Sequence, residues 1–275
     1  MHPDNLYSKK QKLFDLLRGY ESIAVAFSGG TDSTLLLAAA RECLGDHVIA
    51  VTAVSPLQPA NEVHAAIRLA RSLGADHYTV HTREMEDAGF TANCRNRCYI
   101  CKKIIFTGLL ALAAEHGIRT VAHAANMDDL ADYRPGMKAA VELGIVSPLI
   151  DAGLDKAEIR ELSRQMGLST WDKPSAACLA SRIPYGRPIT GDALAMVEAA
   201  ENVLSALGFS GFRVRHYGET AKIEIRPADF ARLLKPDRRL SIISEFRKIG
   251  FLYVTLDLEG FQTGRLNRSI STGSE

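Results

Sequence analysis

The stretch Ala26-Phe27-Ser28-Gly29-Gly30-Thr31-Asp32-Ser33-Thr34-Leu35-Leu36 is a glycine-rich turn between the apolar run 23–27 and a Leu/Ala-rich segment at 33–43. A wholly apolar run of this length suits a parallel strand buried on both faces, and the segment after it suits a helix. The turn therefore opens a helix. Gly29 and Gly30 let the backbone bend sharply and approach a ligand, Ser28, Thr31 and Ser33 supply hydroxyls, and the helix start turns N–H groups toward an anion. Asp32 is placed to hold Mg²⁺ or to orient the loop. Neither the ATPase loop G-x-x-x-x-G-K-[ST] nor the dinucleotide fingerprint G-x-G-x-x-G is present. What remains, S-G-G-x-D-S after a strand, reads as a phosphate cradle.

A chain of 275 residues, 47% hydrophobic and 24% charged, can bury a large core as one large or two unequal domains. Its formal net charge of +1 creates no field that would gather nucleic acid, so no nucleic-acid partner is expected. No run approaches the roughly 18 apolar residues that span a membrane. The start of the chain carries Lys9, Lys10 and Lys12 without an apolar core, unlike a secretory signal, so cytoplasmic residence is expected. Five cysteines, an odd number in a chain of this size, argue against a disulfide framework. Cys43 falls in the helix after the cradle as an inert thiol. Cys94, Cys98, Cys101 and Cys178 all sit near loop signals.

Strand and helix patterns alternate: strands at 47–54, 77–80 and 120–124, and helices at 60–73, 102–116, 138–143 and 155–166, the last with Asp155 as N-cap. This order predicts an α/β fold, a doubly wound, mainly parallel sheet whose ligands bind beyond the carboxyl ends of the strands. The irregular segment 168–190 reads as an active-site loop and domain boundary. After it, helices at 191–207 and 238–249 and strands at 212–217, 221–226 and 252–256 predict a small α+β domain. The expected division is 1–180 and 181–275.

Three further clusters carry chemistry. Cys178 lies between Lys173 and Arg182, and nearby cations favour a thiolate. The C-x-x-C of Cys98 and Cys101 suits zinc with help from Cys94 or His123, an iron–sulfur cluster together with Cys178, or a redox dithiol. The loop from Asn126 through Asp128, Asp129 and Asp132 to Arg134 packs carboxylates on the cradle's sheet edge, where Mg²⁺ and substrate phosphates fit. In the small domain Arg213, Arg215 and His216, followed by Lys222, Glu224 and Arg226, can bind an anion or form an ordinary charged strand face.

S-G-G-T-D-S at 28–33, N-R-C-Y-I-C-K-K at 96–103, D-D-L-A-D-Y-R-P-G at 128–136, W-D-K-P-S-A-A-C-L-A-S-R-I-P-Y-G at 171–186 and R-V-R at 213–215 together resemble the LarE family. These are PP-loop ATP pyrophosphatases that act as sulfur transferases in nickel-pincer nucleotide synthesis. The resemblance implies ATP and Mg²⁺ as cofactors and adenylation of a carboxylate of pyridinium-3,5-biscarboxylic acid mononucleotide. Sulfur then displaces AMP and leaves a thiocarboxylate. It implies Ser28, Gly29, Gly30, Thr31, Asp32, Ser33, Asn126 and Asp129 around ATP, and Arg134, Arg213 and Arg215 on the substrate. Cys178, Asp32, Ser181 and Arg182 are its catalytic group, and Glu201 and Glu224 are metal-site residues. Sacrificial members spend the cysteine matching Cys178 as the sulfur source. With Cys98 and Cys101 beside Cys178, this chain is similar instead to members whose three cysteines hold a [4Fe-4S] cluster fed by sulfide or an upstream donor. Homo-oligomers are the family's habit. A tRNA thiolase and a non-catalytic nucleotide or metal sensor are the competing readings.

Overall fold

The computed structural model describes residues 3–131, 135–174 and 178–262. It divides into two compact units, Met1–Glu84 with Asn96–Ala176, and Met85–Arg95 with Ala177–Glu275.

The first unit is built on four parallel strands: β1 (Ile23–Ala26), β2 (Val48–Val54), β3 (Asp76–His81) and β4 (Thr120–Ala122), in the spatial order β3-β2-β1-β4. Side chains alternate across a strand, so an all-apolar strand must be covered on both sides. Ile23, Val25, Val48 and Ala50 enter one core with the helices Pro3–Arg18, Thr31–Leu44 and Lys156–Gln165. Ala24, Ile49 and Val51 enter the other with Arg97–Glu115 and Pro135–Glu142. Phe106, 1% exposed, anchors that second layer, where a buried aromatic of its size contributes roughly 1.5–3 kcal/mol. The expected doubly wound, mainly parallel sheet is what forms. The strand order reverses between β1 and β4, and the carboxyl ends of these two strands carry the cradle and the Asn126 loop.

Three local details differ from the sequence reading. Pro3–Arg18 is a helix, its apolar Leu13, Phe14 and Leu17 spaced to bury one face under a polar surface. β4 ends at Ala122, and the His123 N–H turns to the Val146 carbonyl at 3.0 Å. The helix expected from Lys102 starts at Arg97, with the Tyr99 and Ile100 N–H groups both donating to Asn96 O. Cys98 and Cys101 therefore lie on its first turns, three residues apart and on one face.

In the second unit β5 (Arg213–Tyr217) pairs antiparallel with β6 (Thr220–Glu224), and β7 (Tyr253–Leu256) joins β6 in parallel. Val214, Ala221, Ile223, Phe246 and Phe251 close its core against the helices Gly191–Ala206 and Pro236–Ile249. This is the small α+β arrangement expected. No helix among the described residues is long and apolar enough to cross a membrane.

Candidate functional site

The cradle is held open by its own backbone. Gly29 has φ +66°, and a Cβ there would lie 3.0 Å from both Cα and Cβ of Ala66 in the helix Ala60–Ser72. Conformation and close approach both require glycine at that point. Ser28 and Ser33 share a hydroxyl contact of 3.1 Å, the Ser28 N–H donates to Ser33 Oγ at 3.3 Å, and Thr34 Oγ1 donates to Gly30 O at 2.7 Å. Thr31 Oγ1 donates to Thr170 O at 2.8 Å. Gly30 is the N-cap of Thr31–Leu44 and no side chain caps that helix, so its first N–H groups are left for an anion.

Asp32 is the hub. One carboxylate oxygen pairs with Lys156 Nζ and the other accepts from Asn126 Nδ2 at 3.2 Å. Asn126 is in turn fixed by its N–H donating to Asp129 Oδ2 at 3.0 Å, and Asp128 Oδ2 accepts the Lys156 N–H at 3.2 Å. The structure thus brings together the expected Ser28, Ser33, Asp32, Asn126 and Asp129. Asp132 and Arg134 lie outside the described residues.

Lys156 escaped the sequence reading. It supplies from another helix the cation that the glycine-rich turn lacks. The available signal was its place at the first position after the N-cap Asp155, whose capping box with Glu158 is complete. Glu158 also receives Lys9 Nζ on both oxygens at 2.7 Å, which ties the N-terminal helix to the one that carries Lys156. Lys173, read from the sequence as a cation near Cys178, stands at the cradle's lip. Its Nζ donates to Gly29 O at 3.1 Å and to Glu62 Oε2 at 2.7 Å.

In the second unit Cys178 is exposed and precedes the short turn Leu179–Arg182. Its carbonyl accepts the Ser181 N–H at 2.9 Å and Arg182 Nη1 at 3.1 Å. Arg182 makes a two-pronged pair with Glu201, both contacts 2.9 Å. Glu201 also accepts the Val214 N–H, Arg215 grips Glu224 Oε2 through Nε and Nη2, and Arg215 Nη1 donates to Ser181 O at 2.7 Å. Burial, then the neighbouring charge of Arg182, with Arg215 adding to it and Glu201 opposing, pulls the Arg213 pKa down to about 10. The guanidinium stays charged at neutral pH, and a crowded cation of this kind favours an anionic ligand. Ser181, Arg182, Glu201, Arg213, Arg215 and Glu224 form one network. Both carboxylates expected at a metal are engaged by arginines.

Cys98 is exposed and Cys101 partly buried in the first unit, where Cys101 Sγ lies 3.9 Å from Glu84 Oε1. Cys94 belongs to the second unit and donates to Gly89 O at 3.1 Å. His123 pairs with Ser147 Oγ at 2.7 Å and meets the Phe106 ring edge-on. Burial, with Lys102 nearby, lowers its pKa to about 4. Among the described residues no group of three or more His, Cys, Asp or Glu is drawn together to hold a metal ion.

The asparagine synthase family model matches residues 15–145, the stretch with the cradle and the Asn126 loop. A pyridinium-3,5-bisthiocarboxylic acid mononucleotide synthase of Lactiplantibacillus plantarum is 38% identical over 267 residues, 97% of this chain and 96% of its own. An uncharacterized protein of Synechocystis sp. is 41% identical over 266 residues, 97% of this chain and 99% of its own. An argininosuccinate synthase of Haloarcula marismortui is 29% identical over 161 residues, 54% of this chain and 38% of its own. The two long matches take in the Cys178 turn and the arginine network, which the asparagine synthase match does not reach.

Proposed function

Because the chain belongs to the LarE family of pyridinium-3,5-bisthiocarboxylic acid mononucleotide synthases, we propose that it converts a carboxylate of pyridinium-3,5-biscarboxylic acid mononucleotide to a thiocarboxylate. The enzyme is an ATP-dependent sulfurtransferase. A carboxylate is a poor electrophile. Its oxygen first attacks the α-phosphorus of ATP, the bond to the β-phosphate oxygen breaks, and pyrophosphate leaves. The open N–H groups of the cradle and Lys156 meet that departing charge, and Asp32, Asn126 and Asp129 are the groups suited to Mg²⁺, which supplies Lewis acidity. A sulfur nucleophile then attacks the acyl carbon, and AMP departs with the electron pair of its C–O bond.

The network of Ser181, Arg182, Arg213 and Arg215 is the observation that carries the reading. It offers an anionic mononucleotide a fixed cluster of positive charge beside Cys178 in the chain, with Glu201 holding Arg182 and Glu224 holding Arg215. Arg134 is assigned to the same substrate from its motif. Cys98, Cys101 and Cys178 are assigned to sulfur handling. Cys98 and Cys178 are exposed and Cys101 is partly buried, and thiolates are the ligands an iron–sulfur cluster takes. Such a cluster, when bound, would present a sulfide for transfer.

The test is anaerobic purification, turnover with ATP and substrate, and then measurement of iron, acid-labile sulfide and the intact mass of the Cys178 peptide. Iron and sulfide with unaltered Cys178 are expected. Iron-free protein whose Cys178 peptide is lighter by the elements of H₂S would replace that route with sacrifice of Cys178. Turnover of ATP without any thiocarboxylate would overturn the sulfur chemistry altogether.

A further inference from the structure

Among the described residues Asn93 is the only non-glycine with a positive φ, +57°, and it is fully buried. A left-handed backbone costs most side chains about 1–2 kcal/mol, asparagine being the usual polar exception. Its side chain uses the position. Asn93 Nδ2 donates to Pro184 O at 2.8 Å and to Arg187 O at 2.7 Å, with Ile183 O at 3.4 Å. Its own carbonyl accepts the Gly186 N–H at 3.1 Å, and two residues earlier Thr91 O accepts the Ile189 N–H at 2.8 Å. A carboxamide has two N–H donors and here finds two short acceptors. Glycine would tolerate the backbone but offers no donor, and aspartate would face carbonyls with a carboxylate. Only asparagine meets both demands.

The carbonyls it gathers begin where the Cys178 turn ends. The Ile183 N–H closes that turn on Ala180 O at 3.1 Å, and the Ile183 side chain is 1% exposed. We infer that Asn93 is a positioning residue for sulfur transfer, clamping residues 183–189 so that Cys178, Ser181 and Arg182 keep one geometry. The inference rests on the functional reading above. The turn closes through the Ser181 N–H on Cys178 O and the Ile183 N–H on Ala180 O, with an exposed cysteine at its head. The Arg182 and Arg215 contacts hold the turn itself, and the Asn93 contacts fix the chain that leaves it.

The experiment compares Asn93→Gly with Asn93→Asp and with wild type. Asn93→Gly keeps the left-handed conformation accessible and removes the amide, so the fold is retained even if Asn93→Asp fails to fold. Two readouts are taken: hydrogen exchange at the Gly186 and Ile189 amides, and kcat and KM for thiocarboxylate formation. For Asn93→Gly, exchange at both amides is expected to rise roughly tenfold or more, while amides of the helix Thr31–Leu44 stay unchanged. The kcat is expected to fall roughly 10- to 100-fold with KM for ATP within about twofold, as misplaced rather than missing groups produce. Unchanged exchange at Gly186 and Ile189 overturns the clamp. Faster exchange with an unaltered kcat overturns its catalytic consequence. Cys178→Ala is measured alongside: if it still transfers sulfur, the functional reading falls and takes the positioning role with it, while the exchange result alone judges the clamp.

Discussion

At the cradle the Lys156–Asp32 pair has side chains 29% and 22% exposed, and Lys173–Glu62 has 26% and 31%. In the second unit Arg215–Glu224 has 8% and 2%, and Arg182–Glu201 has 3% and 14%. Charges that still touch water can change partners at small cost, which suits a site that admits a triphosphate and releases pyrophosphate. Charges taken out of water are held by geometry and are expensive to separate. The first set of ion pairs can open at small cost; the second is held closed by its burial.

The sharpest way to break this contrast is Arg215→Met. It removes the two-pronged partner of the buried Glu224 carboxylate and leaves it Lys222 at 3.6 Å and the charge of Arg213, and unfolding free energy should fall by about 3 kcal/mol, read by urea denaturation. The double variant with Glu224→Leu should recover most of that loss without recovering substrate binding. A cost under about 1 kcal/mol for the single variant would place this pair with the surface pairs.

Asp32→Ala should act in the opposite sense. AMP and pyrophosphate formation should fall by at least about 100-fold, and the urea midpoint should move by the equivalent of about 1 kcal/mol or less. Unchanged pyrophosphate release would remove Asp32 from the reaction. Lys156→Met sharpens the picture further, with ATP binding expected to weaken roughly tenfold in titration calorimetry. Tighter ATP binding in that variant would mean that the lysine serves only to neutralise Asp32.

The same contrast explains what could be read from the sequence. The cradle is local: strand, two glycines, hydroxyls and an aspartate in eleven consecutive residues, so its role follows from the order of the residues. The alternation of apolar runs likewise foretold the parallel sheet, and the Asp155 cap was legible because a capping box is a spacing. Lys156 and Lys173 were not, because a lysine side chain reaches across the fold and its partner has no fixed sequence offset. The helix Pro3–Arg18 was missed because its apolar residues are few. The family resemblance puts Arg182, Glu201, Arg215 and Glu224 at one site with the glutamates as metal-site residues, but their pairing into ion pairs is legible only in the fold; the charged strand alone fits a solvent face equally well. Asn93 gave no signal in sequence, since a buried left-handed asparagine looks like any loop residue until its partners are known.

The excursion of residues 85–95 into the second unit has a bearing on how the chain is made. Asn93 and Ile183 are 90 residues apart. At a ribosomal rate of roughly 5–20 residues per second, the asparagine emerges roughly 5–20 s before the carbonyls it will hold. For that interval the first unit can close its sheet only by looping out a segment that belongs elsewhere. The nascent protein thus carries an open seam that stays unsewn until residues 183–189 have been synthesised.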